Sequence, residues 1–300
     1  MIRILGTTFA GLLGLAFGSF LNVCLSRWPE GESIVKPRSH CRHCSHTLAW
    51  WENIPLASWL VLRGRCRNCR TSISFRYPLV ELAIGVLWAA AVWGSSAWIF
   101  ALDQPAVDLY REITSLLGQM ILYWLLVVLA VLDAEHLWLP NFLTLPGAAL
   151  GFILFFIKLE LASNPVLSKY GAEGLQQHLV YRFAFWEFIG ILAAAGLILL
   201  IRWLYGLIRH REGIGLGDAK LMALLAAWLG LPGALLAFAM GAVLGSVAAL
   251  VLLAVPSART DPDSWATSKL PLGTFLCIGG IVSNLWGQTI IDAYLHLAGF

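Results

Sequence analysis

Three acidic residues stand at the ends of long apolar runs. Asp133 closes such a run in VLDAEHLWLPN, Asp218 opens one in GIGLGDAKL, and Glu81 opens one in RYPLVELAIG. An ionisable side chain at the edge of a membrane span is costly and marks a candidate functional site. Two carboxylates held close together share a proton, and such a pair can activate water and polarise a carbonyl. The alternative is a capping or interfacial role, with Glu81 paired to Arg76 or Arg70.

The approach to Asp218 is rich in glycine. Gly215 and Gly217 lack a Cβ atom, so they tolerate unusual backbone angles and let another backbone, such as an extended peptide, come close. We therefore predict that they bind substrate, together with Lys220 of the same segment.

Four cysteines form two CxxC pairs in one polar segment. They are Cys41, Cys44, Cys66 and Cys69. Two such knuckles can place four thiolates around a tetrahedral Zn²⁺, a closed structural site. Two disulfides or four free thiols are the alternative, although cytosolic disulfides rarely persist. Because the segment is small, metal binding would contribute much of its folding free energy.

The composition is that of a membrane protein. Apolar residues make up 59% of the 300 residues, charged residues 12%, and the mean hydropathy is +0.77. Charge-free runs reach the roughly 20 residues that cross a bilayer. The run from Leu221 to Ala258 is too long for one span, and Gly230-Leu231-Pro232-Gly233 predicts a tight turn within it. We predict an all-α polytopic membrane protein of about eight transmembrane helices.

The predicted domains are a first transmembrane helix (1–26), a cysteine insert (27–77) and a membrane core of helices 2–8 (78–300). The first run resembles a signal peptide in its apolar character, but it is longer and lacks a small-residue cleavage pattern, which favours a retained helix.

The orientation follows from the basic residues, which are in excess in cytoplasmic loops. Nine of them lie in the cysteine insert: Arg27, Lys36, Arg38, Arg42, Arg63, Arg65, Arg67, Arg70 and Arg76. We place this insert in the cytoplasm. Alternation along the chain then puts Asp133, Asp218 and the loop from Ser257 to Lys269 on the same face and both termini outside. The two aspartates can therefore meet.

Five segments in order resemble the type IV prepilin peptidase family of GxGD intramembrane aspartyl proteases. FGSFLNV (Phe17 to Val23) resembles the end of its first helix, and RSHCRHCSHTLAWWENIPLASWLVLRGRCRNC resembles its zinc loop. RYPLVE follows that loop, VLDAEHLWLPN resembles the segment with the first aspartate, and GIGLGDAKL contains the Gly-x-Gly-Asp signature. The resemblance covers residues 17 to about 275.

The resemblance implies cleavage of the leader of type IV prepilins or pseudopilins after a Gly, at the cytoplasmic face of the bacterial inner membrane. Asp133 and Asp218 would be the catalytic pair, and Zn²⁺ the structural metal. Many members also methylate the new N-terminus with S-adenosylmethionine. For that activity we consider the segment FGSFLN with its Asn22, although Gly14-x-x-x-Gly18 is also a helix-packing pattern and Asn22 can bond another helix. Glu81 is a further candidate for binding substrate or cofactor. Expected partners are pilin-like substrates and membrane lipid, but no nucleic acid.

Two departures from the family pattern stand out. Leu-Pro-Asp reads Leu139-Pro140-Asn141 here, and Pro-Phe-Gly-Pro reads Pro271-Leu272-Gly273-Thr274. We expect neither to touch the aspartate pair, so that they bear on substrate positioning alone.

Two other classes of protein remain as alternatives. A transporter also uses paired intramembrane acids, but it predicts internal repeats, which the sequence lacks, and gives no reason for a zinc loop. A non-enzymatic scaffold with a zinc module leaves GIGLGDAKL unexplained.

Overall fold

The described part of the chain is helical. A computed structural model describes residues 1–99, 106–168, 173–210, 215–254 and 270–297. The helices are α1 (Ile2–Arg27), α2 (Ala57–Val61), α3 (Arg76–Ile99), α4 (Ala106–His136), α5 (Asn141–Ser168), α6 (Glu173–Arg209), α7 (Leu216–Ala254) and α8 (Leu272–Leu297), with a short 3₁₀ helix at Trp50–Asn53. Within these ranges extended structure is limited to two isolated bridges in the cysteine insert.

Seven of these helices are long and apolar enough to cross a membrane. They are all except α2, whose five residues are too few to span. The prediction of an all-α, multi-pass membrane protein with an insert after the first helix is confirmed.

The count of seven treats α7 as one span, although the helix is broken at Gly230. There the backbone has φ 70° and ψ 169°, outside helical geometry. Beyond the break, Gly241 and Gly245 lie against Leu276 and Phe275 in the first turns of α8. The second half of α7 thus runs antiparallel to α8. The halves correspond to two of the eight predicted helices.

The chain divides into two compact units, Met1–Val128 and Leu129–Phe300, with the division inside α4. In the first unit α1 packs closely on α3. A Cβ atom on Gly14 would lie 2.8 Å from the carbonyl oxygen of Ile84, and one on Gly18 would lie 2.7 Å from Cα of Glu81. The Gly14-x-x-x-Gly18 pattern therefore packs two helices.

In the second unit, the turn between α4 and α5 is fixed by its backbone. The N–H of Leu137 donates to the carbonyl oxygen of Asp133 at 2.9 Å, and Leu137 has φ 49°. A left-handed residue bonded in this way ends a helix. Pro140 then precedes α5, which begins at Asn141. The short turn places Leu139 beside the first residues of α7 and α8.

The predicted sidedness rests partly on loops that the structure does not describe. The segment from Ser257 to Lys269 lies outside the described residues, as do Gly213 and Ile214 of GIGLGDAKL. The cytoplasmic location of the insert and of the aspartates stays a prediction.

Candidate active site and metal centre

Asp133 lies in the last turn of α4 and is held by the start of α8. Its side chain is 6% exposed. The N–H of Thr274 donates to Oδ2 of Asp133 at 2.8 Å, and the Thr274 hydroxyl lies 3.3 Å from the same oxygen. Thr274 is in the first turn of α8, where backbone N–H groups have no partner within the helix. The carboxylate supplies that partner, at a helix end that favours negative charge.

Asp218 is held in a similar way by the start of its own helix. It lies in the first turn of α7, is 7% exposed, and its Oδ2 accepts the N–H of Gly215 at 3.1 Å. A side chain that reaches back to the residue preceding its helix is half of a capping box. The alternative weighed for Asp218 was the N-cap position, but Gly215 occupies that position and Asp218 is the third residue of α7. Its bond to the N-cap N–H fixes the carboxylate.

The two carboxylates interact electrostatically. Both carboxylates also interact electrostatically with the thiol of Cys277, a fully buried residue of α8. Asp133 and Asp218 come from different helices. Leu139, in the α4–α5 turn that follows Asp133, lies beside the starts of both α7 and α8.

Leu139 packs between two glycines next to the aspartates. A Cβ atom on Gly217 would lie 3.1 Å from Cβ and Cδ1 of Leu139, and one on Gly273 would lie 3.0 Å from Cδ1. The same Cβ on Gly273 would lie 2.9 Å from Cγ of Asp133. The space left by Gly217 is thus filled by the chain's own Leu139, where we had expected a substrate backbone.

Both departures from the family pattern lie in this region, and the expectation that neither touches the pair is wrong. Thr274 bonds Asp133 directly. Asn141 accepts a hydrogen bond from Nζ of Lys220 at 2.6 Å, two residues beyond Asp218. Reasoning from the sequence missed Thr274, Gly273 and Leu139 as site residues. The unusual Pro-Leu-Gly-Thr was the available signal, because it exchanges a proline for a residue with two donors.

The other two candidates, Asn22 and Glu81, lie in the first unit and are buried. Nδ2 of Asn22 donates to the carbonyl oxygen of Tyr77 at 3.0 Å, which confirms the expected bond to another helix. Its Oδ1 has no partner among the described residues. Oε2 of Glu81 accepts the N–H of Leu56 at 2.8 Å, and Ser19 hydrogen-bonds the same side chain.

Leu56 is held in an uncommon turn. It has φ 58° and ψ −48°, and the N–H of Ala57 bonds the carbonyl oxygen of Pro55 across it. This is a γ-turn of the rare, strained form. Glu81 therefore fastens the middle of the cysteine insert, between its two CxxC pairs, to α3.

The four cysteines come together as predicted. Their sulfur atoms all lie within 4.8 Å of one another, with 3.8 Å from Cys41 to Cys69 and 4.0 Å from Cys44 to Cys66. Four sulfurs at about 2.3 Å from a tetrahedral Zn²⁺ are about 3.8 Å apart, so the cluster fits this metal. A disulfide needs about 2.05 Å, and all four cysteines are free.

The two knuckles repeat one backbone pattern. In each, the residue after the second cysteine has a positive φ, 56° at Ser45 and 60° at Arg70, and its N–H bonds the first cysteine's carbonyl. Hydrogen bonding to Thr71 lowers the pKa of Cys69 to about 6, whereas burial raises the pKa of Cys41 to about 11. A low pKa favours the thiolate that binds metal.

Comparison with known proteins gives consistent matches over the chain. Residues 12–95 match the bacterial peptidase A24 N-terminal domain, and residues 120–250 match the type IV leader peptidase family. No solved structure matches significantly.

Curated relatives cover almost the whole chain. A "Prepilin leader peptidase/N-methyltransferase" of Stutzerimonas stutzeri is 34% identical over 314 residues, covering 96% of this chain and 93% of that protein. Proteins of the same name from Pseudomonas aeruginosa (32%, covering 96% and 93%) and Myxococcus xanthus (36%, covering 88% and 68%) are similar. The chain therefore belongs to the type IV leader peptidase family.

Proposed function

We propose that this protein is a prepilin peptidase that cleaves the leader of type IV prepilins or pseudopilins after a Gly, with Asp133 and Asp218 as its catalytic pair. The observation that carries the proposal is the pair itself. Two buried carboxylates from different membrane helices interact electrostatically, and each accepts a hydrogen bond from a backbone N–H at a helix start. Because the chain belongs to a peptidase family, we assign hydrolysis of a peptide bond to this pair. Family membership also disfavours the transporter and scaffold alternatives.

The chemistry follows from two carboxyl groups that share a proton. One carboxylate takes a proton from a water molecule, and the water oxygen attacks the carbonyl carbon of the scissile peptide bond. The protonated partner donates a hydrogen bond to the carbonyl oxygen, where negative charge develops. The C–N bond then breaks as the leaving nitrogen receives a proton. The pair titrates as a unit, so the two roles belong to the dyad.

The substrate class agrees with the position of the pair. Each aspartate lies at the end of an apolar helix, so the site is at the membrane boundary. A pilin precursor has an apolar helix that can lie in the bilayer, with its basic leader at the surface. We assign that surface to the cytoplasm because of the nine basic residues of the insert.

We further propose that the four cysteines hold a structural Zn²⁺ and that the protein methylates the new N-terminus with S-adenosylmethionine. The sulfur spacing supports the zinc site. The names of the relatives support methylation. Asn22 is the candidate for this second activity because its Oδ1 is buried without a partner among the described residues, and Glu81 stays a candidate beside it.

Purified full-length protein should be tested against a detergent-solubilised prepilin, with the product mass read by mass spectrometry. The variants are Asp133→Asn and Asp218→Asn, which keep the shape and remove the charge. Asp292→Asn is the matched control, because Asp292 is an exposed residue of α8 that bonds Gln288. Adding S-adenosylmethionine tests methylation through a mass increase of one methylene group on the mature product.

Cleavage after Gly by wild type and the Asp292 control, and none by either dyad variant, is the expected result. If the dyad variants cleave as fast as wild type, the assignment of the pair is wrong. A folded wild type that cleaves none of several pilins would remove the proposed activity.

A further inference from the structure

Thr274 makes three short contacts between the start of α8 and the end of α4, beside a backbone hydrogen bond from Gly273 to Asp133. The Thr274 N–H donates to Oδ2 of Asp133 at 2.8 Å. The Thr274 hydroxyl lies 2.9 Å from the carbonyl oxygen of Ala130 and 3.3 Å from Oδ2 of Asp133. Thr274 is thus in contact with the backbone of α4 and with the carboxylate that α4 presents.

The hydroxyl has one hydrogen to donate, and a carbonyl oxygen is only an acceptor. The hydrogen therefore points to Ala130, the shorter of the two contacts. The oxygen of the hydroxyl then presents a lone pair to Oδ2 of Asp133. It can accept a proton held by that carboxyl group, while the N–H of the same residue serves the ionised form. Thr274 can therefore hydrogen-bond Asp133 in both protonation states of the carboxyl group.

We propose that Thr274 is a positioning residue of this peptidase that holds Oδ2 of Asp133 and so fixes the orientation of the carboxyl group for the reaction. Gly273 makes the approach possible, since a Cβ atom there would lie 2.9 Å from Oδ2 of Asp133. The family pattern has proline at position 274, which has neither an N–H nor a hydroxyl. This mode of holding the aspartate is therefore a property of this chain. The inference rests on the proposed function, because it assumes that Asp133 acts in catalysis.

The test compares prepilin cleavage kinetics of the full-length wild type, Thr274→Val and Thr274→Ser. Valine has nearly the same shape and keeps the N–H, but it loses the hydroxyl and its tie to Ala130. Serine keeps both donors. We expect Thr274→Val to lower kcat roughly tenfold with KM unchanged, because one hydrogen bond and the exact placement of a reacting group are lost. We expect Thr274→Ser to restore most of the wild-type kcat.

Thr114→Val is the matched control. Its hydroxyl bonds the carbonyl of Tyr110 at 2.8 Å within α4, in an exposed position. It should keep the wild-type kcat. The fraction of folded protein, measured by thermal unfolding in the same detergent, corrects each rate.

Two results would overturn the positioning role. One is a Thr274→Val variant with wild-type kcat per folded molecule. The other is a Thr274→Ser variant that is as slow as the valine variant, since the hydroxyl would then not be the group that matters.

Asp133→Asn in the same assay separates this inference from the proposed function. If Asp133→Asn is inactive and Thr274→Val is unaffected, only the role of Thr274 is lost. If Asp133→Asn cleaves as fast as wild type, the catalytic pair is wrong and the role of Thr274 falls with it.

Discussion

Gly217 is a glycine because of Leu139, and a single methyl group tests this. In Gly217→Ala the new Cβ atom would lie 3.1 Å from both Cβ and Cδ1 of Leu139. Carbon atoms in contact prefer about 3.5–4.0 Å, so two contacts are too short by roughly half an ångström. Leu139 cannot simply move away, because its Cδ1 already packs tightly against Gly273 on its other side.

Overpacking of this kind costs about 1–3 kcal/mol. Any shift of Leu139 acts on Gly273 and Asp133, so we expect kcat to fall by about 10- to 100-fold, as misplacement of reacting groups by an ångström can do. The assay is cleavage of a solubilised prepilin, with thermal unfolding measured in parallel. Gly196→Ala is the matched control, because a Cβ atom on this helical glycine would meet no described atom within 4 Å.

Leu139→Ala makes the result specific. It removes the atoms that the new methyl group meets. The decrease in ln kcat of the double variant Gly217→Ala, Leu139→Ala should therefore be smaller than the sum of the decreases of the two single variants. Strictly additive losses would refute the reasoning. So would a Gly217→Ala enzyme with wild-type kcat, because the short contacts would then carry no cost.

Two further predictions concern the first unit. Cys66→Ser should release the metal, measured as zinc content by atomic absorption. It should also expose residues 27–77 to limited proteolysis, because metal binding folds such small inserts. The control variant Cys24→Ala, which changes a buried cysteine outside the cluster, should keep the wild-type zinc content. A metal content equal to wild type in Cys66→Ser would contradict the four-sulfur site. Gly18→Ala should destabilise the α1–α3 pair by about 1–3 kcal/mol, seen as a lower unfolding temperature, because its Cβ would lie 2.7 Å from Cα of Glu81. Gly94→Ala, with no described atom near its Cβ, should match wild type, and equal unfolding temperatures for both variants would remove the packing argument.

Much of the fold could be predicted because the membrane limits the choices. Backbone polar groups in lipid must bond within their own segment, so each long apolar run is a helix. The break at Gly230 was also predictable, since Pro232 beside two glycines signals a turn. The structure has a break at this position, because the backbone of Gly230 leaves helical geometry.

The candidate residues were predictable as types, but their neighbours were not. Asp133 and Asp218 stand out because charge is rare in these runs, and the cysteines stand out because of their spacing. Leu139 does not stand out, since nothing in an apolar sequence distinguishes a leucine that packs on two glycines from one that faces lipid. That distinction depends on tertiary contacts between α4, α7 and α8.

The two clearest errors of the prediction from sequence concerned Gly217 and Thr274. A glycine leaves space, and the sequence cannot say what fills it: at Gly217 it is Leu139. Thr274 was interpreted as a departure from a pattern and set aside, yet its N–H donates to a carboxylate that precedes it by 141 residues, and its hydroxyl lies 3.3 Å from the same oxygen. Such long-range bonds depend on how helices pair, which local patterns do not record.

The contact between Thr274 and Asp133 also has a consequence for biogenesis. Helices enter the membrane in order from the ribosome, and both aspartates are already present once α7 has been made. Asp133 gains its bonding partner only with α8, the last helix described. A nascent chain therefore carries the acids of the site before it carries the part that orients them. The bond that orients Asp133 therefore cannot form until α8 has been made.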